Sequence, residues 1–392
     1  MTPANPDSAT QPDASEEVVR TDILIIGSGM GGSSMAWALR DSGQQVLVAE
    51  RGGHLPREPE NSNLEDVYLK GRYKNAETWY NGATRAPFKP GNYYYVGGNT
   101  KLYGACLPRF RKSDFEGKQH EDGMSVAWPF TYEELEPHYA TAEAIFHVHG
   151  TVGEDATEPP HSGEYPFPAL AHEPVIERLS NDLERQGLHP FHMPNGLDLD
   201  NDHDRELCAT CDGAPCETGR KSDAEDRALS IALASPTVTL QTGIRIDRLI
   251  TSDDGHKIIA ATGEREGSRI RILANKFVLA AGAVNSSVVL LRSANSRHPN
   301  GLANSSGLVG RNYMVHNSTF FIAINPFRKN TTLWQKTLGI NDWYEATADT
   351  KVPLGNVQML GKLRAEMLKA AKPWVPTWIL KWMTDQDRKA HV

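Results

Sequence analysis

"IIGSGMGG" (residues 25–32) is the stretch whose reading decides the fold. Gly27, Gly29 and Gly32 stand in a G-x-G-x-x-G frame. The preceding "DILIIG" (22–27) is a short, β-rich apolar run, read as a buried parallel strand. The following "MGGSSMAWALRDSG" (30–43) reads as a helix with small residues for close packing and Gly43 as its stop. "QQVLVAERGG" (44–53) is a second apolar strand, ending at Glu50.

Each part of this β-turn-α-β unit has a chemical reason. Gly27 permits the tight turn, Gly29 lets the backbone approach a pyrophosphate, and Gly32 lets the helix pack on the strand. The helix N-terminus offers free N–H groups and partial positive charge to an anion. Glu50 can accept hydrogen bonds from a ribose diol. The unit predicts a dinucleotide site but leaves NAD and FAD open. Arg51, Gly52 and Gly53 suit a chain running beside a flavin dinucleotide.

The 392 residues exceed what one compact core organises, so two domains are expected. Apolar residues make up 39% and charged residues 23%, an ordinary globular balance. The net charge of −8 argues against nucleic acid or an anionic membrane as the main partner. No apolar run approaches a membrane span. Residues 1–20 have neither a basic n-region nor an apolar h-region, so they read as a disordered polar tail rather than a signal peptide. Cytoplasmic location is the expectation.

A second stretch is "YYYVGGNTKLYGACLPRFRKSDFE" (93–116). Together with the first it resembles the glucose-methanol-choline (GMC) family of FAD oxidoreductases. In that family a Gly-Gly segment reaches the flavin ring, followed by an Arg and an Asp-Phe pair. The matching residues are Gly97, Gly98, Arg109, Asp114 and Phe115. "WPFTYEELEPHYATAE" (128–143), "VLAAGAVNSSVVLLRS" (278–293) and "GLVGRNYMVH" (307–316) are similar to further family segments, in family order. "GINDWY" and "GNVQMLG" carry a fainter likeness to about residue 361.

The same residues read independently of the resemblance are compatible with it. "TVTLQTGIRIDRLI" (237–250) alternates as a strand and Asp254-Gly255 marks a turn. "HKIIAAT" and "SRIRILA" complete a meander, and "KFVLAAGA" returns as a buried strand into a helix from about Asn285. The resemblance implies that Ile246 lies near the adenine, and Ala281 and Gly282 near the pyrophosphate or ribose. The expected fold is α/β (α+β overall): a Rossmann-like FAD-binding domain with a β-meander (21–130 and 217–315), and a substrate-binding domain on an antiparallel sheet (131–216 and 316–392), incomplete at its C-terminus. Some relatives bond a His of the Gly-Gly segment covalently to the flavin. Leu102 and Tyr103 stand there, so noncovalent FAD is expected.

Four cysteines occur, Cys106 as an expected core residue and Cys208, Cys211 and Cys216 in C-x2-C-x4-C spacing. Three thiolates suit an iron–sulfur cluster or zinc with a fourth ligand. A local Cys208–Cys211 disulfide and plain structural thiols are the alternatives, and no metal is the expectation. His147 and His149 read as a solvated loop rather than a metal site, His316 as a structural hydrogen-bonder. "KPWVPTWILKWMTDQ" (372–386) reads as a surface for packing against the rest of the substrate domain rather than for docking on a partner or membrane surface.

The resemblance implies oxidation of an alcohol substrate by hydride transfer to flavin N5, with electrons passed to oxygen, a dye or quinone, or an acceptor subunit. The family's catalytic His, paired with a second His or an Asn, lies in a C-terminal segment. No stretch of residues 1–392 resembles that segment, and His391 has no flanking motif. The expectation is therefore a chain cut off before its catalytic residues, with little turnover alone. A non-catalytic FAD-binding subunit or degenerate paralogue, and an NAD-dependent enzyme, are the rival readings.

Overall fold

The computed structural model describes residues 16–121, 123–199, 205, 208, 213–316, 318–324, 330–384 and 390–391. The chain divides into two compact units. The first comprises 1–56, 73–101 and 223–318, the second 57–72, 102–222 and 319–392.

The first unit is built on strands β1 (Glu17–Arg20), β2 (Ile23–Ile26) and β3 (Val46–Ala49), with helix α1 (Met30–Leu39) between the last two. Later in the chain come β4 (Val238–Gln241), β5 (Ile244–Thr251), β6 (Ile258–Arg265), β7 (Ser268–Leu273), β8 (Lys276–Leu279) and helix α2 (Gly282–Arg292). A parallel sheet runs in the order β4-β3-β2-β8, with Ile23 opposite Val46 and Lys276 opposite Ile23. A second sheet runs β1-β7-β6-β5, antiparallel except for the parallel β1–β7 pair.

All four side chains of β2 and of β3 are buried, the mark of a strand covered on both faces. Because side chains alternate, Ile23 and Ile25 pack with Ala36 of α1, Val96 and Leu229, whereas Leu24 and Ile26 pack with Ile244, Ile246, Ile270 and Ile272 of the meander. Two cores on opposite faces of one sheet hold the turn after β2 in place.

The 237–250 run, expected as one strand, is two strands in two sheets. Gly243, at φ +73°, breaks it, so β4 joins the parallel sheet and β5 opens the meander. Residues 17–20, expected in the tail, form β1, because Val19 finds the meander core. Residues 1–15 lie outside the described residues. The second helix begins at Gly282, three residues before the expected Asn285.

In the second unit, strands Pro190–His192, Leu338–Ile340 and Val357–Gln358 form an antiparallel sheet. Helix Pro174–Glu184 is Pro-started and buries Ile176 with Leu338 and Met359. Helix Tyr132–Ile145 opens with a capping box in which Thr131 and Glu134 satisfy each other's backbone amides. Residues 102–130, expected with the dinucleotide domain, belong to this unit. The anchor is Arg109. Its Nε and Nη2 donate to both oxygens of Glu143 at 2.6 and 2.7 Å, and its Nη1 to the Tyr132 hydroxyl at 2.7 Å and Glu136 at 3.0 Å. Burial opposes the charge of Arg109, but these partners raise its pKa above the ordinary arginine value.

Candidate functional site

The loop from β2 into α1 opens a cavity of about 750 Å³ in the first unit. Gly27 holds φ +98°, and a Cβ there would stand 2.6 Å from the Ala280 carbonyl oxygen, so the end of β8 closes against the turn. Gly32 lies buried one helical turn on, where a Cβ would fall 1.9 Å from the Gly27 carbonyl oxygen. Gly29 is different: a Cβ there would meet no protein atom within 4 Å, because it looks into open space.

Gly27, Gly29, Glu50, Arg51, Gly98, Ile246, Ala281 and Gly282, all expected site residues, line this cavity together. Gly32 sits behind it in α1. Gly97 is buried beside it, and its N–H donates to Ser28 Oγ at 3.2 Å. The first turns of α1 and α2 both reach the cavity through Met30, Gly31, Ala283 and Asn285. Neither first turn carries an acidic residue, so their orphan amides and positive dipole ends are left for an anion.

Ser28 is a residue of this region that sequence reading passed over. It is fully buried. Its N–H and Oγ donate to Glu50 Oε2 at 3.0 and 2.7 Å, while its carbonyl accepts from Ser33 Oγ at 2.7 Å. The other Glu50 oxygen accepts from the Gly52 N–H at 2.8 Å. One serine thus ties the glycine turn, the acid at the end of β3 and the Gly97–Gly98 segment. Its place between two glycines of the motif was the available signal.

Two further supports were not legible. Thr100 Oγ1 donates to the Gly97 carbonyl at 2.6 Å and accepts from the Ala224 N–H at 3.0 Å. Lys101 pairs with Asp223 at 3.0 Å and with Glu225. Burial works against its charge, yet the carboxylates hold its pKa above the usual lysine value. At the cavity wall Arg51 donates to Glu77 at 2.6 Å and stacks on the Tyr94 ring at 3.6 Å. Burial pushes Glu77 up, but hydrogen bonds from Tyr94 and Arg51 outweigh it and leave its pKa lowered.

The residues fit a dinucleotide: open glycine backbone and two helix N-termini for a pyrophosphate, a buried carboxylate for a diol, and apolar Ile246 at the wall. Glu50→Ala is expected to weaken FAD binding at least about tenfold, since a charge-assisted hydrogen-bond pair contributes roughly 1.5–3 kcal/mol. Titration with FAD, followed by flavin fluorescence, checks this. A folded variant with unaltered affinity rules out Glu50 as the ribose ligand.

The other candidates read from the sequence lie in the second unit, and several differ from expectation. Cys106 is half-buried and its Sγ approaches Asn195 Oδ1 at 3.7 Å. Cys208 is buried among Ala105, Leu197 and Trp334. Cys216 Sγ accepts from the Lys221 N–H at 3.4 Å. Its thiol is lowered to about 5, first by a hydrogen bond from Cys208, and despite burial. Cys211 lies outside the described residues. His147 and His149 are not a solvated loop: both reach Asp198 at 3.5 Å and pack on the Phe167 ring. In the first unit, His316 is exposed. No helix among the described residues is long and apolar enough to cross a membrane.

Comparisons with known proteins agree with this geometry. A family model described as GMC oxidoreductase matches residues 170–318, and one described as NAD(P)-binding Rossmann-like domain matches 25–57. The chain is 32% identical to paromamine 6'-oxidase of Streptomyces fradiae over 81% of its own length and 58% of the relative's. It is 29% identical to 2-methyl-1,2-propanediol dehydrogenase of Mycolicibacterium austroafricanum, over 76% and 55%. It is 26% identical to the fructose dehydrogenase large subunit of Gluconobacter japonicus, over 77% and 59%. The chain therefore spans little more than half the length of these relatives. With the glycine turn, the strand-end acid and the Gly-Gly segment gathered on one cavity, the chain belongs to the GMC oxidoreductase family, whose cofactor is FAD.

Proposed function

We propose that this chain holds FAD noncovalently in the cavity of the first unit and serves the oxidation of an alcohol CH–OH group. The observation that carries the reading is the convergence of Gly29, Glu50, Gly98 and the start of α2 on that one cavity. When bound, FAD supplies a hydride acceptor at N5. In this reading Glu50 accepts from the ribose hydroxyls, with Ser28 and Gly52 fixing the carboxylate's orientation. The amides at Gly29 and the first turn of α1 receive the pyrophosphate, with the start of α2 on its other side. Ile246 offers an apolar face to the adenine. The Gly97–Gly98 segment, clamped by Ser28 and Thr100, presents backbone to the flavin end and excludes water there.

The relatives' names, which include a diol and a sugar, support a CH–OH donor. One relative is named as a large subunit, which supports electron transfer to an acceptor partner rather than a fixed choice of oxygen. The test is anaerobic mixing of the flavin-loaded chain with sugars, polyols and simple alcohols while the oxidised-flavin absorption is followed. Slow bleaching by one of these classes is expected, because no general base is assigned among residues 1–392. Bleaching only by donors without a CH–OH group, such as amines, overturns the reading.

A further inference from the structure

Lys101 ends the helical turn Gly98–Lys101 and is only 7% exposed. Its ammonium group lies between two carboxylates of the first unit, Asp223 at 3.0 Å and Glu225. Asp223 is itself 2% exposed, and its second oxygen accepts from the Asp226 N–H at 2.9 Å. The second oxygen of Glu225 lies 2.5 Å from His54 Nδ1. One cation thus joins three separate segments: the Gly-Gly segment, the start of helical turn Glu225–Leu229 and, through Glu225, the chain just past Glu50.

Stability alone does not call for a lysine here. Taking an ammonium group and a carboxylate out of water is costly, and apolar side chains of similar volume at such positions often leave a fold as stable or more so. An ion cluster adds a fixed direction for each of its partners. The parts fixed here surround Gly97 and Gly98, which hold left-handed backbone at φ +88° and +57°. A Cβ at Gly97 would stand 3.2 Å from Lys101 Cε and from Glu225 Cβ and N, and a Cβ at Gly98 would stand 3.1 Å from Gly29 Cα. The segment is therefore held between the ion cluster on one side and the glycine turn on the other. Gly98, Asn99 and Thr100 line the cavity, whereas Lys101 stands behind them.

We propose that Lys101 is a positioning residue for the flavin end of the cofactor: held by Asp223 and Glu225, it presses the Gly97–Gly98 backbone toward Gly29 and so sets the wall at that end. The proposal rests on the reading that FAD occupies this cavity. The adenosine end depends instead on Glu50, whose carboxylate is held by Ser28 and Gly52.

The test is titration of the chain with FAD and, separately, with ADP, which carries the adenosine and pyrophosphate without the flavin. Lys101→Met should lower FAD affinity at least about tenfold while ADP affinity stays within about twofold of the parent's. Methionine leaves Asp223 buried beside Glu225 without the ammonium group, so the fold of this variant should also be weakened. Lys101→Met with Asp223→Asn removes that imbalance. Its melting temperature should return toward the parent's while the FAD deficit remains, because the pressed contact on Gly97 is still missing. A cluster that served folding only would give back FAD affinity together with the melting temperature, and that result overturns the proposal. Equal loss of FAD and ADP affinity in both variants overturns it, as does unaltered FAD affinity in both. No measurable ADP binding by a parent chain that binds FAD counts against the cavity assignment itself, and the positioning role falls with it.

Discussion

Gly32→Val is expected to abolish measurable FAD binding, with affinity at least about a hundredfold lower. The Cβ of any residue at 32 would stand 1.9 Å from the Gly27 carbonyl oxygen and 3.3 Å from Ile25 Cγ2. The first obstacle is backbone, which has no alternative rotamer. Either α1 lifts from β2 or the turn at Gly27 opens. Overpacking of this kind typically costs about 1–3 kcal/mol, and a β-branched side chain adds two further atoms to the same crowded point. The turn that Ser28 and Glu50 brace would then no longer present its amides to the pyrophosphate. Gly29→Ala separates binding from folding. Its Cβ meets no protein atom within 4 Å, so the melting temperature of the apoprotein should hold while FAD affinity falls. If Gly29→Ala bound FAD as tightly as the parent, the pyrophosphate would not lie at Gly29. If Gly32→Val did so, the turn would not depend on the close approach seen here.

Arg109→Ala is expected to destabilise the second unit by about 3–5 kcal/mol, the usual cost of removing one partner from a buried ion pair. Glu143 is only 5% exposed and would lose both of its guanidinium hydrogen bonds at once. The Tyr132 hydroxyl would lose its donor as well, although it still donates to the Pro160 carbonyl at 2.8 Å. The melting temperature should fall on the order of 10 °C. Arg109→Lys keeps the charge but not the two-pronged geometry, so it should fall between the parent and Arg109→Ala. A melting temperature within a degree of the parent for Arg109→Ala would mean that Arg109 does not anchor helix Tyr132–Ile145. FAD titration of the same variant separates the roles, since a purely structural arginine leaves affinity at permissive temperature unchanged.

The residues around the cavity divide by how far along the chain their partners lie. "DILIIGSGMGG" needed only its own pattern: an apolar run, a glycine at positive φ, and small residues where a helix must sit close to a strand. Such constraints are local, acting within a few residues, and so leave a signature in sequence spacing. The meander strands β6 and β7 were legible for the same reason, because their short apolar runs and the Asp254-Gly255 turn before them are local features. The Gly97–Gly98 segment was legible only through likeness to a family, since nothing local says what two glycines approach.

Tertiary structure alone decided the rest. The 237–250 run has one continuous alternation, but Val238 pairs with Val46 and Ile244 with Arg265, so long-range partners divide it between two sheets. Glu17 joins the fold by pairing with Ile270, more than 250 positions away. Ser28 acquires its place only when Glu50 and Gly97 arrive at its hydroxyl from separate segments. Residues 102–130 follow the Gly-Gly segment directly, yet Arg109 commits them to the second unit by reaching Glu143 on helix Tyr132–Ile145. The physical reason is common to all four. Local sequence sets φ, ψ and the period of burial, whereas the choice of partner for a buried charge, hydroxyl or strand edge is made by what the folded chain brings within about 3 Å of it.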